Sequence, residues 1–155
     1  MKRFLMLATA ALSLTACNLD TTTPVENPFP SDPATETFAA EMHIDISTMT
    51  KTTAGTYYKD VKVGTGAELT RDVNPLLTMS YLGLLKNGFV FSQGIKETIL
   101  VGALVGGLQD GMPGMKVGGE RIIVIPSALG YGPQSYPGIP GNSTLVFDVV
   151  LDDMQ

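Results

Sequence analysis

Apolar and polar side chains alternate over several stretches in the second half of the chain, as they do along half-buried β-strands. Residues 57–63 alternate in this way before a Gly-Thr-Gly turn, and a longer stretch starts at Leu76. Asn87 and Gly88 then predict a hairpin with a type I′ turn, because both residue types tolerate positive φ. We expect a second strand to return from this turn through residues 89–91.

Two further strands and one helix complete the pattern. "RIIVIP", residues 121–126, predicts a buried strand, and residues 144–153 predict a last, alternating strand. The helix that the pattern predicts is short, from about Leu104 to Gly111, and is broken by Pro113. Together these elements predict an α+β domain with an antiparallel sheet packed on one short helix.

The N-terminus has the pattern of a secretion signal. Lys2 and Arg3 precede an apolar stretch over 4–14, which is too short to cross a bilayer because a spanning helix needs about 20 residues. The following "LTAC" resembles the lipobox of bacterial lipoproteins, in which the cysteine is acylated and becomes the mature N-terminus. The resemblance implies a signal peptide over 1–16 and a lipid anchor on Cys17. The alternative is an ordinary signal peptide followed by a stray buried cysteine.

Residues 17–40 are rich in Pro, Thr and acidic side chains and contain no Lys or Arg, a composition typical of a spacer. We expect this segment to tether a single domain over 41–155 to the membrane through Cys17. If the lipoprotein resemblance holds, the protein is lipid-anchored in a bacterial cell envelope. Asn18 in place of an Asp then favours the outer membrane.

Composition excludes several classes of function. The chain has 155 residues, one cysteine and one histidine, so neither a disulfide within the chain nor a Cys/His metal site can form. The formal net charge is −5, and no Lys/Arg cluster follows Arg3, which argues against nucleic-acid binding. No cofactor motif is present either, because the glycines over 102–119 lack phosphate-binding spacing.

Four segments in the C-terminal part carry a family resemblance: "SYLGLLKNGFVF", "GLQDGMPGMKVGGERIIVIP", "LGYG" and "PGIPGNSTLVFDVVL". In sequence, order and approximate spacing they resemble the FKBP-type peptidyl-prolyl cis-trans isomerases. The resemblance covers about residues 55 to 155. It implies a five- or six-stranded antiparallel sheet wrapped around one short helix, with a proline-binding pocket between them.

The resemblance also implies the residues of that pocket. The predicted catalytic residues are aromatic: Tyr81, Phe91, Tyr131 and Phe147. The predicted substrate-binding residues are Ser92, Leu104, Val105, Leu108, Tyr136 and Ile139. The other possible role of such side chains is plain core packing, because aromatic residues at alternating strand positions mostly belong to a core.

Three positions depart from the family pattern. Ser92 replaces the usual Asp after the hairpin Phe, Leu108 replaces the usual Trp of the pocket floor, and Glu97 stands where another aromatic residue is expected. We expect a deeper and less aromatic pocket and weak binding of the macrolide inhibitors typical of the family.

Three functions are compatible with this sequence. The first is an isomerase that assists proline-limited folding of exported polypeptides. The second is a binding module or chaperone with the same fold and little catalysis. The third is a lipoprotein with a structural or adhesive domain. The apolar pocket favours the first, since rotation about a prolyl bond needs no nucleophile, metal or strong base.

Overall fold

Six antiparallel strands and one short helix make up the region that our computed structural model describes, residues 29–155. The strands are β1 (Thr50–Lys51), β2 (Tyr57–Lys62), β3 (Leu76–Leu85), β4 (Val90–Leu100), β5 (Glu120–Ile125) and β6 (Leu145–Met154), and the helix is α1 (Gly106–Gly111). The strand order in the sheet is β1-β2-β5-β6-β3-β4. The predicted α+β fold, an antiparallel sheet of five or six strands around one short helix, is confirmed with six strands.

The helix lies on the main core of the protein, against β5. It approaches closely because two of its residues are glycines: a Cβ at Gly107 would lie 2.2 Å from Ile125 Cγ2, and one at Gly111 would lie 2.7 Å from Ile123 Cγ2. The helix ends where the sequence predicts but begins two residues later, since Leu104 and Val105 are extended, with ψ of 158° and 147°. Both side chains are thereby left beside the helix start.

A buried arginine fixes the C-terminal end of α1 to the sheet. The Arg121 guanidinium donates hydrogen bonds to the carbonyl oxygens of Gly111 (2.8 Å) and Pro113 (3.1 Å). It also pairs with the Asp60 carboxylate (2.6 Å) and lies 4.3 Å from the centre of the Tyr58 ring. Because these carbonyls have no partner within the helix, the arginine serves as its C-terminal cap.

Residues 31–49, which we call the N-terminal strap, cover the outer face of the sheet. Their apolar side chains pack on Tyr57, Val124 and Val146 in a second, smaller core; they are Phe38, Met42, Ile44, Ile46 and Met49. Three turns of 3₁₀-helix shape this segment, over Pro33–Thr35, Ala40–Met42 and Ile46–Thr48. The sequence-based boundary between tether and domain at residue 41 is therefore too late, because the strap had no strand or helix periodicity to reveal its packing.

The β3–β4 hairpin lies where the sequence predicts, but its turn type differs. Gly88 has a φ of 84°, whereas Asn87 is not among the residues with positive φ. The Gly88 amide donates to the Leu85 carbonyl (2.9 Å), and the Leu85 amide donates to the Phe89 carbonyl (2.9 Å). These bonds define a three-residue loop with glycine in the left-handed position, so the type I′ prediction is wrong.

The predicted signal peptide, the start of the tether and Cys17 lie outside the described residues. Within residues 29–155, no helix combines the length and the apolar character needed to cross a membrane.

Candidate functional site

A hollow of about 140 Å³ opens between α1, the hairpin strands and the loop that follows β5. Seven of the predicted site residues line it: Tyr81, Ser92, Leu104, Val105, Leu108, Tyr131 and Phe147. Met79, Ile99 and Ala103 complete the lining. The residues that the family motifs predicted to form one pocket are thus neighbours in space.

One wall of the hollow is a cluster of aromatic rings carried by three strands. The ring centres of Phe91 and Phe147 are 5.6 Å apart and those of Tyr81 and Phe147 are 6.3 Å apart. Phe91 does not itself line the hollow but supports Phe147 and Tyr131 from behind, meeting both edge to face. Edge-to-face pairs at these distances hold the rings in fixed orientations.

The position of Phe91 depends on an irregularity of β4. Gly83 of β3 pairs with Ser92, whereas the next residue, Leu84, pairs with Val90, so Phe91 is the extra residue of a β-bulge. Bulges re-aim side chains, and here the bulge turns Phe91 toward the aromatic cluster. Gly83 provides the space, since a Cβ there would lie 3.0 Å from atoms of both the Phe91 and the Phe147 rings.

Tyr131 reaches the hollow from the loop after β5, where it stands between Gly130 and Gly132. Burial, together with the neighbouring Tyr81 and Tyr136 phenols, raises the pKa of Tyr131, so its hydroxyl remains protonated at neutral pH. Among residues 29–155 this hydroxyl has no hydrogen-bond partner. It is therefore available to donate to a ligand in the hollow.

The loop over 133–141 holds two predicted residues that lie outside the hollow. Tyr136 is 46% exposed and its ring contacts that of Tyr131 at a tilt of 50°, with ring centres 5.3 Å apart. Ile139 is only 7% exposed and packs in the main core, tied to Tyr136 by two backbone hydrogen bonds of 2.9 Å. Tyr136 can touch a ligand only at the mouth of the hollow, and Ile139 only supports the loop.

The opposite wall, which carries the departures from the family pattern, is formed by small and aliphatic side chains. Leu108 is 3% exposed and forms the floor, and the Ser92 hydroxyl lies 3.4 Å from the Tyr81 hydroxyl, to which it donates. Glu97 is exposed and takes no part in the hollow, where Ile99 and Ala103 stand instead. Sequence analysis missed these two and Met79 as lining residues. For Ile99 the reason is that its strand has exposed positions on both faces and shows no alternation.

The chemistry available in this hollow is shape and desolvation. Its lining is apolar except for the hydroxyls of Ser92, Tyr81 and Tyr131, and it includes no carboxylate, amine or imidazole. Among the described residues no group of three His, Cys, Asp or Glu side chains could hold a metal ion. Such a site is suited to bind an apolar ring and to fix a carbonyl oxygen beside it.

Comparison with known proteins agrees with this site. The profile of one family, FKBP-type peptidyl-prolyl cis-trans isomerase, matches residues 70–152, which include every residue that lines the hollow. The chain belongs to this family. The sequence-based resemblance to FKBP-type isomerases is thus confirmed.

Individual relatives share the same part of this FKBP-type chain. FK506-binding protein 4 of Chaetomium thermophilum is 42% identical over 106 residues, which are 65% of this chain but 22% of that protein. A peptidyl-prolyl cis-trans isomerase of Saccharomyces cerevisiae is 40% identical over 106 residues, again 65% of this chain and 25% of the relative. The chain therefore spans about a quarter or less of the length of these relatives.

The crystal structure of AtFKBP13 has the same FKBP-type fold. It superimposes with a TM-score of 0.62 at 30% identity, covering 69% of this chain and 98% of that one. The fold similarity thus extends over nearly the whole of a second FKBP.

Proposed function

We propose that this chain is a peptidyl-prolyl cis-trans isomerase that binds the proline ring of a polypeptide in the hollow and rotates the preceding peptide bond. The observation that carries this proposal is a small, largely apolar hollow, with three aromatic rings in its lining, into which the Tyr131 hydroxyl reaches. Family membership supports it, because the matched region includes the whole hollow.

The energetic demand of this reaction is small. Rotation about a prolyl bond has a barrier of about 20 kcal/mol and takes about 10 to 100 s without a catalyst. A turnover of tens per second requires a reduction of only about 4 kcal/mol, at about 1.4 kcal/mol per tenfold. A site without a nucleophile, base or metal can supply this amount through desolvation and positioning.

The lining residues can lower the barrier by favouring the twisted amide. The planar amide is stabilised by resonance that places negative charge on oxygen, and water stabilises this charge separation. Tyr81, Leu108 and Phe147 exclude water from the bond, which favours the less polar, twisted transition state. The Tyr131 hydroxyl donates a hydrogen bond to a substrate carbonyl and so holds the peptide in register.

A protease-free isomerisation assay tests this function. The full-length chain in detergent is mixed with peptides that differ only in the residue before proline, and the approach to the cis/trans equilibrium is followed. We expect acceleration with several of these peptides. Rates equal to the uncatalysed ones with every peptide would overturn the proposal.

A second function, holding extended segments with little catalysis, is favoured by exposed apolar side chains on the 133–141 loop and beside it. Phe89 and Tyr136 are 51% and 46% exposed, and Phe89 lies against Gly138 of the 133–141 loop. The two functions differ in one observable. A holding protein suppresses aggregation of an unfolded client even when Tyr131→Phe and Phe147→Ala remove the catalytic contacts.

We further propose that the protein is lipid-anchored through Cys17 and acts on exported polypeptides in a bacterial cell envelope. The support is the sequence before Cys17, a basic start and an apolar stretch followed by "LTAC". An acyl chain contributes about 0.8 kcal/mol per buried methylene, so more than one chain gives stable anchoring. Cys17→Ser is expected to move the protein from the membrane fraction to the soluble fraction. Retention of this variant in the membrane would contradict the anchor.

A further inference from the structure

The N-terminal strap is joined to the Tyr131 loop by a reciprocal pair of hydrogen bonds. The Ser31 amide donates to the Ser127 hydroxyl oxygen (2.9 Å), and the Ser127 amide donates to the Ser31 hydroxyl oxygen (2.7 Å). Both residues are buried, Ser31 to 7% and Ser127 to 1% exposure. We call this pair the serine latch.

Ser127 is the residue on which the Tyr131 loop closes. Its carbonyl oxygen accepts hydrogen bonds from the amides of Gly130 (3.0 Å) and Gly132 (2.9 Å), the two neighbours of Tyr131. Displacement of Ser127 therefore displaces both ends of the short segment that carries the Tyr131 side chain. The latch fixes the backbone of the residue that organises this loop.

The strap presents Ser31 from a rigid segment. Asp32 caps the following 3₁₀ turn by accepting from the Ala34 amide (3.1 Å), and the buried ring of Pro33 fixes its first residue. Further along, the Ala39 amide donates to the Lys86 carbonyl (2.8 Å), and Glu36 pairs with the Lys86 ammonium (3.3 Å). The strap is thus attached both to the Tyr131 loop and to the tip of the β3–β4 hairpin.

We infer that Ser31 is a positioning residue of the pocket: the serine latch holds the loop so that the Tyr131 hydroxyl faces the substrate. This inference rests on the proposed isomerase function for its kinetic consequence, but the restraint on the loop is independent of that function. Removal of the Ser31 hydroxyl leaves the buried Ser127 amide without its acceptor, which destabilises the closed loop.

The test compares Ser31→Ala with Ser47→Ala in the full-length chain in detergent. Ser47 is a suitable control because it lies in the same strap and bonds only locally, to Asp45. The first measurement is hydrogen exchange over residues 127–132, read by mass spectrometry. We expect exchange of the Gly130 and Gly132 amides to accelerate about tenfold in Ser31→Ala, because the loop opens more often, and to be unchanged in Ser47→Ala.

The second measurement is the isomerisation kinetics of the same variants. A misplaced Tyr131 loses binding contacts, so we expect KM to rise about three- to tenfold in Ser31→Ala with kcat nearly unchanged. A merely structural role would lower kcat through loss of folded protein and leave KM as it is. Unchanged exchange in Ser31→Ala, or faster exchange with an unchanged KM, overturns the inference. Absence of activity in the unmutated chain overturns the isomerase function. The hydrogen-exchange rates by themselves then show whether the serine latch restrains the Tyr131 loop.

Discussion

The ring of Phe91 meets the ring of Phe147 at 90°, with 5.6 Å between their centres, over a residue that has no side chain. That residue is Gly83 of β3, whose Cβ, if present, would lie 3.0 Å from both rings. The aromatic wall of the pocket thus depends on three features together: a bulge that aims Phe91, a strand position that faces Phe147 inward, and a glycine between them.

Gly83→Ala is expected to disturb this wall. The added methyl forces both rings to move, which costs about 1 to 3 kcal/mol of stability, as is typical of overpacking, and lowers kcat/KM. Gly106→Ala is a suitable control, because the new Cβ would meet its nearest neighbour at 3.4 Å, an ordinary contact. Denaturant unfolding and the isomerisation assay measure both effects. Equal stabilities of the two variants would show that the Phe91 and Phe147 rings accommodate the added methyl group without strain.

Tyr131→Phe is expected to weaken substrate binding without unfolding the protein. Because the hydroxyl has no hydrogen-bond partner among residues 29–155, its removal changes the free energy of unfolding little. Loss of one hydrogen bond to the substrate, worth about 1 kcal/mol, raises KM about fivefold. Tyr57→Phe removes a phenol from the other face of the sheet and serves as the control. Wild-type kinetics in Tyr131→Phe would exclude a role for the hydroxyl.

Arg121→Lys is expected to destabilise the fold strongly. A lysine cannot reproduce the bonds that Arg121 makes to Asp60 and to the carbonyls at the end of α1, and we expect a loss of about 2 to 3 kcal/mol. Arg71→Lys gives the contrast: Arg71 is 61% exposed in its pair with Asp110, so the loss should stay below about 1 kcal/mol. If urea unfolding showed the same loss of stability in Arg121→Lys and Arg71→Lys, Arg121 would not be the residue that fixes the end of α1.

Asp148 predicts a pH dependence of stability. Burial, and secondly the nearby Glu120, raise the pKa of its carboxyl above the ordinary value of 3.8. The folded state therefore binds the proton more tightly than the unfolded state, and stability falls as pH rises from about 4 through the raised pKa. Asp148→Asn cannot ionise at this position and therefore removes this loss of stability with rising pH.

Unfolding of wild type and Asp148→Asn across pH measures the effect. The variant should gain stability relative to wild type as pH rises through that window, by less than about 1 kcal/mol because Asp148 is partly exposed to water. Parallel stability curves from pH 3 to 7 would contradict the predicted shift.

The strands with one buried face could be predicted from sequence because their side chains alternate. β3 and β6 are of this kind, whereas β5 could be predicted as a buried strand from its short apolar run, and Pro113 marks the end of α1. The end of β4 could not be predicted, since it lies at the sheet edge and most of its residues beyond Ser92 are exposed. The strap was missed for another reason: its apolar residues are spaced irregularly by 3₁₀ turns, and its composition is that of a spacer.

The site was predictable where it follows short motifs. "LGYG" located Tyr131, and the hairpin motif located Tyr81, Phe91 and Ser92. The inward position of Phe91 depends on a bulge, which no local pattern announces. Ser31 could not be found from sequence at all, because it contacts a residue 96 positions away through a pair of hydrogen bonds.

Exchange NMR on a peptide with a single prolyl bond tests the central claim most directly. With the peptide in large excess over the full-length chain, catalysis produces cross-peaks between the cis and trans signals within seconds, faster than the about 10 to 100 s of the free bond. We expect these cross-peaks, and we expect them to weaken with Tyr131→Phe. Peptide signals that shift on addition of the protein, without any exchange between cis and trans, would show a pocket that binds proline and does not isomerise it.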